Sequence, residues 1–241
     1  MYKLGYNNID THFKKSTAFH YRIKEEKPIL FIIHEELSRL TGIEIIQQRE
    51  NSCQLKTLVE MSPKEFNVIL RRIFFLLIDM NEDFISGAKR QDETLLKTLY
   101  QEHNTITKFV SFCMRLLNKI GYSEDQKKTT IIYAILTNLD NLVEIIKNTG
   151  RLARAIKPNI SEETLKLMNS VHEAIVKYYN LFYNFDNDTV AKINKLRDDY
   201  IEKIDFHSEK FSKEELALLN RYFQIMEILT SLLELTIALN L

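Results

Sequence analysis

The sequence predicts a mainly α-helical protein, an elongated helical bundle preceded by a small α/β segment. Three observations predict this fold class. Helix breakers are rare, with 5 glycines and 3 prolines among 241 residues, which is well below the average usage of either residue. Apolar residues recur with the 3.6-residue period of an amphipathic helix over most of the chain after residue 62. Residues typical of helix N-caps stand just before several of these periodic stretches.

The first predicted helix begins at Ser62-Pro63-Lys64-Glu65, a capping box with proline at the first helical position. Its apolar stripe consists of Phe66, Ile69, Leu70, Ile73, Leu77, Met80 and Phe84. The helix is expected to end either at Gly87 or at the corner Arg90-Gln91-Asp92. Asp92 is then expected to cap a second helix, which closes at Gly121.

Each of the remaining four predicted helices also begins at a cap residue. In chain order these caps are Ser123, with Gln126 completing a capping box; Ser161, after the helix-stopping Pro158; Asp186 or Asp188; and Ser212, which forms a capping box with Glu215. The sixth helix continues almost to Leu241. Short connections between long helices force sequential helices to run antiparallel, which predicts a bundle.

Six helices arranged as three plus three indicate an internal duplication, with repeats at about residues 62–156 and 160–241. The third and sixth helices support this interpretation at one constant offset. The positions matched are Leu136, Leu139, Val143 and Ile146 with Phe223, Met226, Thr230 and Leu233. We therefore expect two related three-helix units within a domain at 61–241.

The first 60 residues show a different pattern and predict a separate small α/β segment at 1–60. Ile43–Gln48 and Cys53–Val59 read as two strands joined by a polar turn at residues 49–52. Pro28–Leu40 is expected to form a helix that stops at Gly42, and Ile9–Lys14 is a candidate third strand.

Charge and hydropathy narrow the class of protein. Lys+Arg and Asp+Glu are balanced at 33 each, whereas nucleic-acid-binding domains usually carry a basic surplus, so no direct nucleic-acid binding is expected. The longest purely apolar run is Ile73–Ile78, far short of the ~20 residues of a membrane span. No signal peptide is recognisable, and Cys53 and Cys113 are interpreted as reduced thiols. The sequence therefore predicts a cytoplasmic protein.

Five short segments carry a resemblance to a known family. They are Leu40-Thr41-Gly42-Ile43-Glu44-Ile45-Ile46, Ser62-Pro63-Lys64-Glu65-Phe66, Leu70-Arg71-Arg72-Ile73-Phe74, Met80-Asn81-Glu82-Asp83 and Tyr2-Lys3-Leu4-Gly5-Tyr6. These segments are similar to patterns of the archaeal PhoU-like phosphate uptake regulators. The resemblance extends along the chain and is strongest over residues 38–85.

The resemblance implies a PhoU fold of two three-helix repeats and a role in controlling phosphate uptake. Such a role would involve contacts with the phosphate transporter or its signalling partners. Many archaeal members begin with an AbrB-type DNA-binding domain, and this chain starts where that domain would already have ended. We therefore expect a regulatory adaptor, with a homodimer as a further expectation and without direct transcriptional action.

Members of this family often carry pairs of acids four residues apart that hold metal clusters, since such residues share one helical face. One such pair here is Asp140 and Glu144, with Glu227 and Ser231 interpreted as its counterpart in the second repeat. Asp79 and Asp83 form another pair. These four acids are candidate ligands for a divalent or ferric ion, although solvated acids on helix flanks are the favoured interpretation.

The family acids of the second helix would fall near His103 and Thr107, and neither residue is a carboxylate. His103 and His172 lie close to apolar stripes, which favours hydrogen-bonded structural histidines. The alternative interpretation is that these two histidines are metal ligands.

No catalytic constellation is recognisable in the sequence. It contains no phosphate-cradling Gly-rich loop, no Cys-x-x-Cys, no His-Glu-x-x-His and no Gly-x-Ser-x-Gly. We therefore expect a non-enzymatic protein without a cofactor. Two alternatives to the adaptor remain: a metal-binding helical bundle and a structural oligomerisation module.

Overall fold

The computed structural model describes residues 8–12, 33–34, 36–37, 42–49, 52–57, 63–122 and 125–241. Within these ranges it contains three strands and six long helices. The strands are β1 (Asn8–His12), β2 (Ile43–Arg49) and β3 (Ser52–Thr57). The helices are α1 (Pro63–Arg90), α2 (Glu93–Ile120), α3 (Thr129–Ile156), α4 (Glu162–Tyr183), α5 (Asn187–His207) and α6 (Lys213–Asn240). The predicted mainly α-helical class is confirmed.

The strands form one antiparallel sheet in the order β1-β3-β2. Leu55 on the central strand pairs with Ile9 on one side and with Ile45 on the other, and β2 is irregular between Ile45 and Gln47. The two strands predicted on either side of the polar turn are confirmed, and so is the candidate third strand. The helix expected at Pro28–Leu40 falls largely outside the described residues, of which 33–34 and 36–37 are helical.

Helix caps confirm most of the predicted helix starts. Asp92 Oδ1 accepts hydrogen bonds from the backbone N–H groups of Thr94 and Leu95 at 2.9 and 3.0 Å. Ser161 and Asp186 cap α4 and α5, and Ser212 forms the predicted capping box of α6. The cap expected at Ser62 lies outside the described residues. α1 continues through Gly87 to Arg90, because a left-handed residue, Gln91 (φ 53°), ends it there.

The predicted start of the third helix is wrong in one respect, and its cap Ser123 lies outside the described residues. Gln126 lies in a 3₁₀ turn before the helix, and its Nε2 donates to the carbonyl of Ile120 at 3.0 Å. Asp125 instead caps a short 3₁₀ turn by accepting from the N–H of Lys127 at 2.9 Å. The α-helix proper begins only at Thr129, because the chain first turns back over the end of α2.

The helices pack as two three-helix units. α2 contacts both α1 and α3 in the first unit, and α4 contacts both α5 and α6 in the second. The units meet through two pairs of equivalent helices, α3 with α6 and α1 with α4. Apolar side chains from all six helices form one continuous buried core. A 28-residue helix such as α1 is ~42 Å long at 1.5 Å per residue. The packing of these long helices confirms the predicted elongated bundle of two three-helix repeats.

Burial shows the internal register of these repeats. The ten buried positions of α3, from Ile132 to Ala153, recur in α6 from Glu215 to Thr236 at a constant offset of 83 residues. The eight buried positions of α4 recur in α1 at an offset of 94, with Thr164 matching Leu70 and Leu181 matching Gly87. The predicted duplication is therefore supported by packing.

The register inferred from the sequence, in which Leu136 matched Phe223, is wrong by four residues. At the offset of 83, Leu136 matches Leu219, and both side chains are fully buried. Phe223 is only half-buried. A shift of four residues is slightly more than one helical turn, so it places apolar residues on nearly the same face. Sequence matching alone therefore favoured a neighbouring alignment.

Candidate functional site

The predicted site residues of α2 and α3 face one another across the contact between these helices. Nε2 of His103 lies 2.7 Å from Oε2 of Glu144. One turn along, the hydroxyl of Thr107 donates to Oδ1 of Asp140 at 3.0 Å. Because residues four apart share one helical face, the two pairs form a ladder of two rungs. We call His103, Thr107, Asp140 and Glu144 the polar crossing.

In this arrangement the carboxylate of Glu144 already accepts hydrogen bonds from side chains of its own helix. Nζ of Lys147 lies 2.7 Å from both carboxylate oxygens, and Asn148 Nδ2 donates to Oε1 at 2.9 Å. Burial raises the pKa of Glu144, but the hydrogen bonds and charge of Lys147, together with Asn148 and His103, outweigh it and lower the pKa. A metal ion would have to displace an ammonium group from this carboxylate. We therefore interpret the polar crossing as a structural clamp, that is, a set of contacts that holds α2 against α3.

The second repeat carries an equivalent clamp. Buried Leu99 and Ile106 of α2 match buried Ile193 and Tyr200 of α5 at an offset of 94 residues. His103 and Arg197 are also 94 residues apart, and Glu144 and Glu227 are 83 apart, the offset of α3 and α6. Nη2 of Arg197 lies 2.7 Å from Oε1 of Glu227, and its Nε donates to the same oxygen at 2.8 Å. The counterpart of Asp140 is Phe223, whereas the sequence had paired Asp140 and Glu144 with Glu227 and Ser231. The contact between the two helices therefore recurs in the second repeat, whereas the pair of acids four residues apart does not.

Asp79 and Asp83 lie elsewhere, at the contact between α1 and α2. Burial raises the pKa of Asp83, and the negative charges of Asp79 and Glu82 raise it further. Across the contact, burial also raises the pKa of Glu102, which Asp83 and Asp79 reinforce despite a hydrogen bond from Thr98. Among the residues that the structure describes, no lysine or arginine pairs with these acids, so their negative charges act on one another.

The structure does not bring the two predicted acid pairs together. Asp79 and Asp83 interact with α2 from α1, whereas Asp140 and Glu144 reach it from α3. Among the residues that the structure describes, no group of three or more His, Cys, Asp or Glu side chains is arranged to hold a metal ion. Metal binding by these acids stays a prediction.

The second histidine predicted to be structural belongs to a hydrogen-bonded network between the repeats. Asn81 is fully buried, and its Nδ2 lies 3.1 Å from Nδ1 of His172. The hydroxyl of Tyr222 donates to Oδ1 of Asn81 at 2.9 Å. The network joins α1, α4 and α6, so it links the two three-helix units at their interface.

Sequence reasoning missed a second role of Glu215. Its Oε1 accepts from the N–H of Ser161 at 2.8 Å and from the hydroxyl of Thr164 at 2.7 Å. Its Oε2 accepts from the N–H and the hydroxyl of Ser212, both at 2.9 Å. The predicted capping box was the available signal, but it concerns α6 alone. In the folded chain this one carboxylate joins the N-termini of α4 and α6.

A surface pocket of about 490 Å³ opens beside this junction, lined among others by Lys157, Ser161, Ser212 and Glu215. Two helix N-termini would attract an anion. The carboxylate of Glu215 already occupies that position and is 4% exposed. We therefore interpret the pocket as the solvent-facing side of the contact between the N-termini of α4 and α6.

The two cysteines are unsuited to nucleophilic chemistry. Both side chains are buried, and among the residues that the structure describes no disulfide is formed. Burial raises the pKa of Cys113 to about 12, so its reactive thiolate form is suppressed at neutral pH.

The third helices of the two repeats, α3 and α6, are the most apolar in the bundle by mean hydropathy over a membrane-span length. The stretches Gln126–Ile156 and Lys213–Asn240 are long and apolar enough to cross a membrane, and 39% of the most apolar part of each is buried. The core helix of a soluble bundle meets the same criterion, and both stretches contribute heavily to the common core. The expectation of a cytoplasmic protein without a membrane span stays a prediction.

Comparison with known proteins adds no assignment: no protein-family model matches the chain, and no curated protein matches it. The resemblance to archaeal PhoU-like proteins therefore stays a prediction from the sequence patterns.

Proposed function

We propose that this protein is a PhoU-like regulatory adaptor that acts by binding other proteins and has no catalytic turnover. The observation that carries the proposal is the repeated architecture, in which three-helix units match at offsets of 94 and 83 residues. This plan agrees with the two-repeat fold that the sequence resemblance implies. It presents long helical faces suited to recognition by another protein.

The polar groups support an adaptor over an enzyme. Glu144 is engaged by Lys147, His103 and Asn148, and Glu215 is engaged by Ser161, Thr164 and Ser212. Each of these carboxylates thus stabilises helix packing. The expected partners are the phosphate transporter or its signalling components, and the expected location is the cytoplasm. Phosphate sensing would then depend on which partner occupies the helical surface.

Deletion of the gene tests the regulatory role. We expect phosphate uptake and phosphate-responsive expression to lose their dependence on external phosphate, and the wild-type gene to restore it. Complementation with Asp140→Ala plus Glu144→Ala separates the adaptor from the metal-binding alternative, because an adaptor that needs no metal retains function in this variant. Unchanged uptake and expression in the deletion strain, under both starvation and repletion, would refute the proposal.

The partner can be sought directly by affinity purification from cells grown at low and at high phosphate. An adaptor of this kind is expected to capture a transporter or signalling subunit, in an amount that differs between the two conditions. The variant Lys166→Glu is a control for a single charge change on the surface, since the Lys166 side chain in α4 is 73% exposed.

A further inference from the structure

Helix α5 is much less buried than α2, the helix that matches it in the first repeat. Only Ile193 and Tyr200 are buried among its 21 residues, whereas 11 of the 28 residues of α2 are buried. The difference is concentrated at one end. Residues 110–116 of α2 are all buried, and none of the equivalent residues 204–210, at the end of α5 and just beyond it, is buried. An amphipathic helix that packs through one face leaves exposed positions in every turn. The chain therefore encloses this end of α2 on all sides, whereas the outer side of α5 is exposed.

Phenylalanine stands at the same position in both helices. At the offset of 94 residues that relates α2 to α5, Phe112 matches Phe206. Phe112 is 3% exposed, and Phe206 is 74% exposed. The offset continues past this position, since Leu117 and its counterpart Phe211 are both buried. The same aromatic side chain is thus covered by the chain in the first repeat and exposed to solvent in the second.

The two helix ends also differ in the sign of their charge. Residues 104–116 of α2 include two cations and no acid, whereas the equivalent residues 198–210 include five acids and two lysines. Both cations of α2 are replaced by acids in the second repeat, Glu202 and Glu209. Contacts that suit the outer side of α2 would therefore be mismatched in charge on α5. We call the exposed set around Phe206 the α5 face, which consists of Asp199, Glu202, Asp205, Phe206 and Glu209.

Most of the negative charge of the α5 face is not neutralised by the rest of the described chain. Asp199, Glu202 and Asp205 take part in no ion pair among the described residues. Lys203, which stands among them in the sequence, lies 3.9 Å from a carboxylate oxygen of Glu163 on α4. The acids of the α5 face are therefore available to the cations of a partner.

We propose that the α5 face binds a basic amphipathic segment of another protein. Phe206 packs into the apolar side of that segment, and the acids around it pair with the lysines or arginines of the segment. An aromatic anchor flanked by charges that select the partner is a common plan of protein interfaces. This inference rests on the proposed adaptor function, because it names the binding surface of the adaptor and the chemistry of its partner.

The charges favour this occupant over two others. A second copy of the chain cannot offer the basic side of α2, because Arg115 is 2% exposed and Phe112 is 3% exposed. An anionic membrane surface attracts basic segments, so the acids of the α5 face would oppose contact with it. A basic protein segment matches both the charge of the α5 face and its exposed aromatic ring.

A peptide library supplies a defined probe while the partner is unidentified. Random peptides displayed on phage are selected on the immobilised full-length chain, and the selected peptides are synthesised for binding measurements. We expect them to be rich in lysine, arginine and apolar residues, and we expect their Kd to rise with salt concentration because the contacts are exposed ion pairs. Selected peptides without a basic excess, or with a Kd that does not depend on salt, would overturn the proposal.

Substitutions locate the binding surface. Phe206→Ala, and separately Glu202→Lys plus Asp205→Lys, should each raise the Kd of a selected peptide about tenfold or more. Peptides that bind both variants as tightly as the wild type would place the binding surface elsewhere and overturn the proposal.

Each variant has a matched control. Phe75→Ala removes another exposed phenylalanine, which is 48% exposed on α1. Glu82→Lys plus Glu234→Lys makes the same change in net charge at exposed positions of α1 and α6. Both controls should leave the Kd of the selected peptides unchanged. Losses as large as those of the α5-face variants would show that binding depends on overall charge or apolar surface, which also contradicts the proposal.

Complementation separates this inference from the proposed function. Glu202→Lys plus Asp205→Lys should keep the helix content of the wild type in circular dichroism, because both side chains are exposed. If it does not, Glu202→Gln plus Asp205→Asn takes its place. Introduced into the deletion strain, the folded variant should fail to restore phosphate-dependent uptake. Full restoration would overturn the role of the α5 face and leave the adaptor function standing. If the deletion itself has no effect, the adaptor function fails, while the peptide measurements still decide whether the face binds basic segments.

Discussion

Removing the negative charge of Glu215 is expected to destabilise the second repeat strongly. The side chain is 4% exposed and accepts four hydrogen bonds, from two groups at the start of α4 and two of Ser212. In Glu215→Gln one carboxylate oxygen becomes an NH₂ group. That group would point its hydrogens at N–H or O–H donors, so at least one buried backbone N–H would lose its acceptor.

The lowered pKa of Glu215 gives the size of the expected loss of stability. Burial raises this pKa, but the hydrogen bonds from Ser161, Ser212 and Thr164 outweigh it and lower it from 4.5 to about 2. Each unit is worth ~1.4 kcal/mol, so a shift of this size corresponds to ~3 kcal/mol of stability from the ionised form at neutral pH. Glu215→Gln should lower the free energy of unfolding by a comparable amount, ~2–4 kcal/mol.

The same numbers predict a pH dependence. Because the folded-state pKa lies below the unfolded value, the stabilisation is fully present above about pH 4.5 and is lost as the pH falls toward 2. By pH 3.5, ~1.4 kcal/mol of it should have gone. The stability difference between wild type and Glu215→Gln should therefore narrow as the pH is lowered from 7 to 3.5.

Urea denaturation followed by circular dichroism at 222 nm measures both effects. Glu214→Gln is the matched control, since Glu214 is the neighbouring acid in the same first turn and is exposed. It should change stability by no more than ~0.5 kcal/mol. Equal stability of the two variants at pH 7, or a gap between wild type and Glu215→Gln that does not narrow with falling pH, would refute the reasoning.

Three further predictions concern other parts of the bundle. Tyr222→Phe should cost ~1–3 kcal/mol in urea denaturation, because Asn81 Oδ1 is buried and loses its donor; a loss near zero would show that this bond is dispensable. Gly121→Ala should lower the stability by ~1–3 kcal/mol, since Gly121 has φ 75° and ψ −178°, a region that side chains disfavour; an unchanged melting temperature would contradict this. Elemental analysis of protein purified without chelator should give less than one metal ion per chain, unaltered by Asp140→Ala plus Glu144→Ala; stoichiometric metal that this variant loses would establish the metal-binding alternative.

Local features of the fold were predictable because they depend on neighbouring residues. Asp92, Ser161 and Ser212 cap their helices as expected, since a cap bonds to backbone groups within three residues of itself. The strand pair was predictable because the polar turn that joins the strands is also local in the sequence. The start of the third helix was not, because Gln126 bonds back to Ile120 at the end of the preceding helix.

The candidate site was predictable only in part. Asp140 and Glu144 share a helical face, as their spacing requires. The sequence resemblance had placed the acid positions of the second helix near His103 and Thr107. Their contacts with each other depend on how α2 packs against α3. The spacing of Glu144 and Lys147 permits an ion pair within the helix, whereas the contact of Glu144 with His103 depends on the neighbouring helix.

By itself the sequence determined the helices, most of their ends and the presence of two repeats, since periodicity and capping act within a few residues. Tertiary structure decided the alignment of those repeats, because a four-residue shift leaves the apolar face of a helix almost unmoved. It also decided that Glu215, 54 residues from Ser161, joins two helix ends. Contacts of this kind depend on the packing of whole helices, which no local pattern specifies.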